Sequence, residues 1–269
     1  MPDSSTATLD REHLDQWERD GFTVIRGFAD PDTCRAQLAA AIALSRAKAD
    51  VGAAAGPDDV AGVYVVPEGH PSASAANPED FVAKLFKLHG RDPFVTFVRD
   101  PRLLAVLTSL LGDDVDVFLS QFIFKAPEAY GQPWHQDSYY FPFSESHQIG
   151  VWLAVTRATL ANGCLWVVPG SHREPIHTHV PDDRPNATQA YTRIIDHDTS
   201  GAVPMEMQPG DLLLFDSHLM HSSTDNTTEE VRAAYVVHYS RAGVVDHSPE
   251  SVTVFDWAPV VRSGVPVDP

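Results

Sequence analysis

Cysteine is scarce: the 269 residues contain two, Cys34 and Cys164. One disulfide is arithmetically possible, but a chain of this length can bury a core without it, so free thiols in a reducing compartment are expected. Basic residues are also few, with 19 Lys and Arg against 37 Asp and Glu and a formal charge of −18. Affinity for phosphate polymers and anionic bilayers comes from clustered cations, so neither a nucleic-acid nor a membrane partner is expected. An anionic ligand would need a local basic group working against the global field. No apolar run approaches the ~18 residues that span a bilayer. The opening stretch MPDSSTATLD has neither the basic nor the apolar segment of a secretory leader. Together these absences lead to the expectation of a cytoplasmic protein.

What is present is ordinary for a globular chain: 43% hydrophobic and 21% charged residues. A single domain over 1–269 is expected, helical over about 1–112 and β over about 113–258. Asp30-Pro31, Asn77-Pro78 and Asp100-Pro101 each pair a capping side chain with proline at a first helical position. Cys34, Leu38, Ala41 and Ile42 follow at helical spacing, as do Phe81, Leu85 and Leu88, with Gly90 and Gly112 where C-terminal caps fall. The long irregular stretch from Val51 to Pro78 is a candidate lid.

After Val115 the texture becomes β. DVFLSQFIFKAP, HQIGVWLAVT, GCLWVVPG, AYTRII, VPMEM, DLLLFDS and RAAYVVHYS are short β-branched or aromatic runs broken by turn formers. A mainly β fold with flanking α-helices, a barrel or two-sheet sandwich, accounts for that order.

The stretch QPWHQDSYYF places His135 and Asp137 two residues apart. On a regular strand both would share a face, with Gln136 turned away. An imidazole and a carboxylate make two thirds of the 2-His-1-carboxylate triad of non-haem Fe(II) oxygenases, or simply a hydrogen-bonded pair. The segment PGDLLLFDSHLMHSSTDNTTEEVRAAYVVHYS reads as strand, loop and strand. His221 closes its first half as a candidate third ligand, in preference to His218. Arg232 follows on a strand entering the core, where a guanidinium is costly unless it meets an anion such as a carboxylate gripped by both nitrogens. His238 reads as an ordinary core or surface histidine.

With these residues in place the chain resembles the phytanoyl-CoA dioxygenase (PhyH) family of Fe(II)/2-oxoglutarate-dependent oxygenases. The resemblance runs from DREHLDQWERDGFTVIRGF to RAAYVVHYS, through WHQD, GVWLAVT, NGCLWVVPGSHR and GDLLLFDSHLMHSSTDN. It implies a double-stranded β-helix (jelly-roll, cupin-like) core, Fe(II) held by His135, Asp137 and His221, and O2 with 2-oxoglutarate as co-substrates. It further implies that Arg232 and Ser223 receive the distal carboxylate of 2-oxoglutarate, with Lys125 and Trp152 beside it. Gln121, on the face of Lys125 if the strand is regular, is a further candidate for the pocket. Tyr139, Tyr140 and Phe141 are candidate substrate contacts. Related halogenases have Gly or Ala in place of the carboxylate, so with Asp137 present the resemblance implies hydroxylation or another oxidation, not halogenation.

The expected activity is hydroxylation of a small organic molecule such as a specialised metabolite, with succinate and CO2 released. The alternative is an acyl-CoA α-hydroxylase of the phytanoyl-CoA type. In a different class stands a cupin-like isomerase or hydrolase using the same ligands on another metal, which would not require Arg232. The substrate's identity and the oligomeric state are left open.

Overall fold

The structure, a computed structural model, describes residues 9–51, 62–68, 82–185, 187 and 191–268, with backbone alone at 48–51. Helix α1 (Arg11–Asp20) starts where Asp10 accepts from the backbone N–H of His13 and ends at Gly21, whose N–H returns to Trp17. Strand β1 (Phe22–Ile25) follows, then α2 (Pro31–Val51), opened by the Asp30 side chain accepting from Thr33 N–H. Strands β2 (Tyr64–Pro67) and β3 (Val82–Phe86) precede α3 (Phe94–Val98) and α4 (Pro101–Leu111). Asp100 caps α4 at its start and the Gly112 N–H closes it on Thr108, as the dipeptide and glycine signals predict.

Of the segment Phe81–Leu88, expected as a helix, Phe81 lies outside the described residues and Val82–Phe86 form strand β3, with Leu88 two residues beyond its end. Its five residues pair with β2 on one side and β4 on the other. A run this short does not specify a period, and the ladder offered by two neighbours decides its conformation. Gly90 accordingly follows a turn and caps no helix. Of the expected 51–78 lid, Tyr64–Pro67 forms that paired strand; 52–61 and 69–81 lie outside the described residues.

The β region consists of β4 (Val115–Lys125), β5 (Ile149–Ala154), β6 (Leu165–Val167), β7 (His179–Pro181), β8 (Thr192–Ile194), β9 (Val203–Met205), β10 (Leu212–Asp216), β11 (His221–Ser223), β12 (Arg232–Arg241), β13 (Ala258–Arg262) and β14 (Val265–Pro266). The large sheet runs β1-β10-β5-β12-β4-β13-β14, with β3 and then β2 joined to β4; β11-β6-β9 make a small sheet, and β7-β8 a pair. This is the mainly β architecture expected from the strand pattern, and the double-stranded β-helix that the family resemblance implies.

Alternation along β12 separates two environments. Ala233, Tyr235, Val237 and Tyr239 pack with Phe94, Phe97 and Leu107 of the helices. Ala234 and Val236 turn the other way, joining Trp152, Leu213 and Phe215 of the large sheet and Leu165 and Val167 of the small one. Helices therefore seal one face of the large sheet, leaving the interior between the two sheets for function. Both cysteines are buried as free thiols.

The turn before β10 binds the chain segment after β1. Gly210, at φ 91°, lies where an added Cβ would sit 2.1 Å from the Ala29 carbonyl oxygen, and its own carbonyl accepts from Ala29 N–H at 3.0 Å. Gly210→Ala is expected to destabilise by about 2–3 kcal/mol, from backbone strain and steric overlap together. The check is the shift of the chemical denaturation midpoint at unchanged m-value.

Candidate active site

His135 and His221 meet as a single antiparallel bridge, each backbone N–H donating to the other's carbonyl at 3.0 Å. The expected regular strand through His135 and Asp137 is thus reduced to one bridge, and Asp137 heads a short 3-10 turn over Asp137–Tyr140. The HxD side chains still converge. Gln136 points away as expected, its amide donating to the carbonyls of Pro175 and His218. His218, three residues before His221, stacks on His147 with ring centroids 4.2 Å apart and takes no part in the cluster.

His135, Asp137 and His221 each present one ligand-type atom, all within 4.8 Å of one another. Asp137 Oδ1 lies 3.4 Å from His135 Nε2 and 3.8 Å from His221 Nε2. Cis ligands about 2.1 Å from a first-row cation stand about 3 Å apart, so a small contraction closes the site. The tautomers suit that use. His135 Nδ1–H donates to the Pro133 carbonyl at 2.8 Å and His221 Nδ1–H to that of Leu219 at 2.9 Å, leaving both Nε2 lone pairs facing the carboxylate.

Burial would raise the Asp137 carboxyl, but the charge at His221, followed by the neighbouring His135 and His238 rings, holds it well below the usual range. Desolvation, aided by His135, brings His221 down to about 4. The pair is therefore a carboxylate and a neutral imidazole at ordinary pH, the forms that ligate a cation.

Beside the triad sit two buried cations on facing strands. Arg232 of β12 is directly opposite Lys125 of β4. Arg232 donates to the Gly163 carbonyl at 3.0 Å, its Nε is buried without a partner, and its Cζ lies 5.6 Å from the Trp152 ring centre. Lys125 Nζ donates to Ser223 Oγ at 2.7 Å and to the Thr224 carbonyl. Ser223 Oγ also accepts from Gln132 N–H at 3.0 Å, so its own proton is free to donate. Among the described residues no carboxylate forms an ion pair with Arg232 or Lys125. Gly163, with φ 82°, leaves room for the lysine: a Cβ there would stand 2.7 Å from Lys125 Cδ and 2.4 Å from the Thr224 oxygen. Burial, followed by the neighbouring Arg232, lowers Lys125 well below its ordinary value, and burial brings Arg232 to about 10. A buried guanidinium and a buried amine, with no carboxylate paired to either among the described residues, make a receptor for an anion, whose arrival would favour the protonated amine.

Triad and cations line one cavity of about 440 Å³ between the sheets. Gln121, Trp152 and Ser223 line it as well, as do Tyr140 and Phe141. Tyr139 does not: it is 45% exposed and stacks outward on His179, so the structure sets it apart from the other aromatic candidates.

Sequence reasoning missed three residues here. Lys84 of β3 donates to Gln132 Oε1 at 3.3 Å, and the Gln132 amide nitrogen stands 2.9 Å from His135 Nε2, on the lone pair that a metal would take in its place. Reading β3 as a helix hid Lys84; reading it as a strand would have put it on the face opposite Leu85. His238 Nε2 lies 2.8 Å from Asp137 Oδ2. It stands an even number of residues from Arg232, so strand parity already placed both on one face.

Lys84 retains a little surface toward the cavity yet is surrounded by protein, and desolvation lowers it to about 8, against the pull of Asp137. Its folded value lies below its unfolded one, so between about 8 and 10.5 the unfolded chain binds the extra proton and stability rises with pH. The ligand-free Lys84→Met variant is expected to be more stable than wild type near pH 7, with the gap narrowing toward pH 10. Denaturation midpoints of the two proteins at both pH values check this.

The phytanoyl-CoA dioxygenase (PhyH) family model matches residues 17–234. A probable phytanoyl-CoA dioxygenase of Caenorhabditis elegans is 42% identical over 111 residues, which are 40% of this chain and 36% of that protein. The phytanoyl-CoA dioxygenase domain-containing protein 1 of Mus musculus is 32% identical over 182 residues, 64% of this chain and 62% of that one. The chain thus matches less than two thirds of the length of these relatives. Among solved structures, the epimerase SnoN in complex with Fe3+, alpha ketoglutarate and nogalamycin RO shares the fold, with a TM-score of 0.63 at 19% identity over 96% of this chain and 95% of that one. With the family model spanning α1 to β12 and taking in His135, Asp137, His221 and Arg232, the chain belongs to the phytanoyl-CoA dioxygenase (PhyH) family.

Proposed function

We propose that this chain is an Fe(II)- and 2-oxoglutarate-dependent oxygenase that hydroxylates a small organic molecule, releasing succinate and CO2. One observation carries the reading: the His135–Asp137–His221 cluster and the unpaired Arg232–Lys125 cations open into the same cavity. In this reading His135 Nε2, His221 Nε2 and Asp137 Oδ1 hold the iron, which supplies O2 activation when bound. Arg232 takes the distal carboxylate of 2-oxoglutarate through two N–H donors, Ser223 adds its hydroxyl, and Lys125 screens the second charge. Trp152 backs the guanidinium. Val236, Ile123 and Phe215 wall off water from the co-substrate, which strengthens every charge interaction inside. SnoN, crystallised with Fe3+ and alpha ketoglutarate, supports the same cofactor pair on this fold.

The substrate side of the cavity is apolar. Phe86, Leu119, Phe141 and Phe255 line it, with the Tyr140 hydroxyl 2.6 Å from Thr192 Oγ1 as a polar tip. The volume falls in the range of about 300–1,000 Å³ that takes one drug-sized ligand. It favours a compact, largely hydrophobic substrate over an entire acyl-CoA. A cupin-like hydrolase or isomerase would leave Arg232 and Lys125 without a task, which is why that reading ranks below this one.

Anaerobic addition of Fe(II) and 2-oxoglutarate is expected to give a weak visible charge-transfer band, and admission of air to give succinate. Arg232→Leu removes a buried charge-assisted pair worth about 2–5 kcal/mol, so 2-oxoglutarate affinity should fall roughly 30- to 5,000-fold while Fe(II) affinity stays near wild type. Asp137→Gly should abolish 2-oxoglutarate turnover. Absence of both band and succinate with a broad substrate panel would sink the oxygenase reading.

A further inference from the structure

The two oxygens of Asp137 have different surroundings. Oδ1 faces the Nε2 atoms of His135 and His221, at 3.4 and 3.8 Å, whereas Oδ2 lies 2.8 Å from His238 Nε2. Backbone contacts fix where Asp137 begins its turn: Ser138 N–H donates to the Ser217 carbonyl at 2.9 Å, and the two serine hydroxyls are 2.7 Å apart. None of this fixes rotation of the carboxylate about its last bond, a broad and roughly two-fold torsion. The His238 contact does.

His238 is built to hold that position. It is 1% exposed, and the rings of Phe118, Phe141 and Phe215 surround it, with centroids 5.9, 5.2 and 6.1 Å away. The β12–β4 register shifts here because β4 carries one extra residue: Leu119 pairs with His238 and Val117 with Tyr239, leaving Phe118 as the bulged residue whose ring stands beside His238. Its Nδ1 is buried with no partner. A buried N–H without an acceptor costs more than a lone pair facing aromatic carbon, so the proton resides on Nε2 and points at Asp137 Oδ2.

We infer that His238 is a positioning residue that ties up Asp137 Oδ2 and thereby commits the carboxylate to bind metal through Oδ1 alone. This rests on the oxygenase reading, and it supplies what that reading needs. Two imidazoles and one carboxylate oxygen leave three of six positions open, enough for a chelating 2-oxo acid and O2. A carboxylate swung round to bind through both oxygens would occupy one of the three. Specifically, His238 keeps the third position available.

The test compares His238→Phe, which keeps a ring in the aromatic cluster but has no donor, with His238→Gln, whose amide N–H reaches about as far as Nε2–H. Co(II) serves as the probe ion, and each full-length protein is titrated without and with 2-oxoglutarate under anaerobic conditions. His238→Phe should weaken Co(II) or shift its visible absorption, with affinity for metal or for 2-oxoglutarate falling 10- to 100-fold. His238→Gln should restore both to within a few fold of wild type. A packing role alone predicts the reverse order, with phenylalanine tolerated and glutamine disruptive, measured by thermal midpoint. Folded His238→Phe with the wild-type Co(II) spectrum and both wild-type affinities would overturn the assignment. So would His238→Gln behaving no better than His238→Phe. If His238→Phe does not fold, His238→Asn, whose amide is too short to reach Oδ2, takes its place with the same expected loss. Wild type binding neither Co(II) nor 2-oxoglutarate would instead bring down the oxygenase reading itself.

Discussion

Everything about the site depends on strand β12 running between β4 and β5 with strict alternation. One set of its side chains, Ala233, Tyr235, Val237 and Tyr239, is committed to the core beneath the helices. That commitment leaves no choice for the other set. Arg232 and His238 must point into the space between the sheets, because a one-residue slip would drive a guanidinium into the helical core and expose Tyr235. Apolar burial of one face therefore fixes the chemistry of the other, and the register to β4 brings Lys125 opposite Arg232.

The electrostatics of the molecule are divided. The surface carries the excess of acid that gives −18 overall, yet the cavity gathers Lys84, Lys125 and Arg232 against two carboxyl side chains, Asp137 of the triad and Glu68. Screening weakens the distant surface charges but hardly touches the buried ones. Net charge thus argues against polyanionic partners while saying nothing about a small dicarboxylate. Burying Lys125 and Arg232 with no carboxylate paired to either among the described residues costs stability, the familiar trade of a preorganised binding site. Gly163 belongs to the same arrangement, since only a residue without Cβ leaves room for the Lys125 chain and the Thr224 carbonyl beside it.

How legible the site was varies with the reach of each signal. His221 was separable from His218 by its context, and the structure places the first in the cluster and the second against His147. The HxD pair was found through its residue types, although the strand assumed for it is a bridge leading into a 3-10 turn. Tyr139 was grouped with Tyr140 and Phe141 by adjacency, and the same turn rotates it outward onto His179. Lys84 was missed because a five-residue apolar run does not declare its period.

Residue chemistry and short-range periodicity were thus present in the sequence alone: the ligand types, the arginine entering a core strand, the β-rich second half, the caps of α2 and α4. Those properties are encoded within a few neighbouring residues. Which side chains touch was settled only in three dimensions. The β3 ladder, the approach of Lys84 to Gln132, and the His238 hydrogen bond to Asp137 Oδ2 join residues far apart in the chain. Register, a bulge and the curl of one sheet over another set such contacts, and no local pattern carries that information.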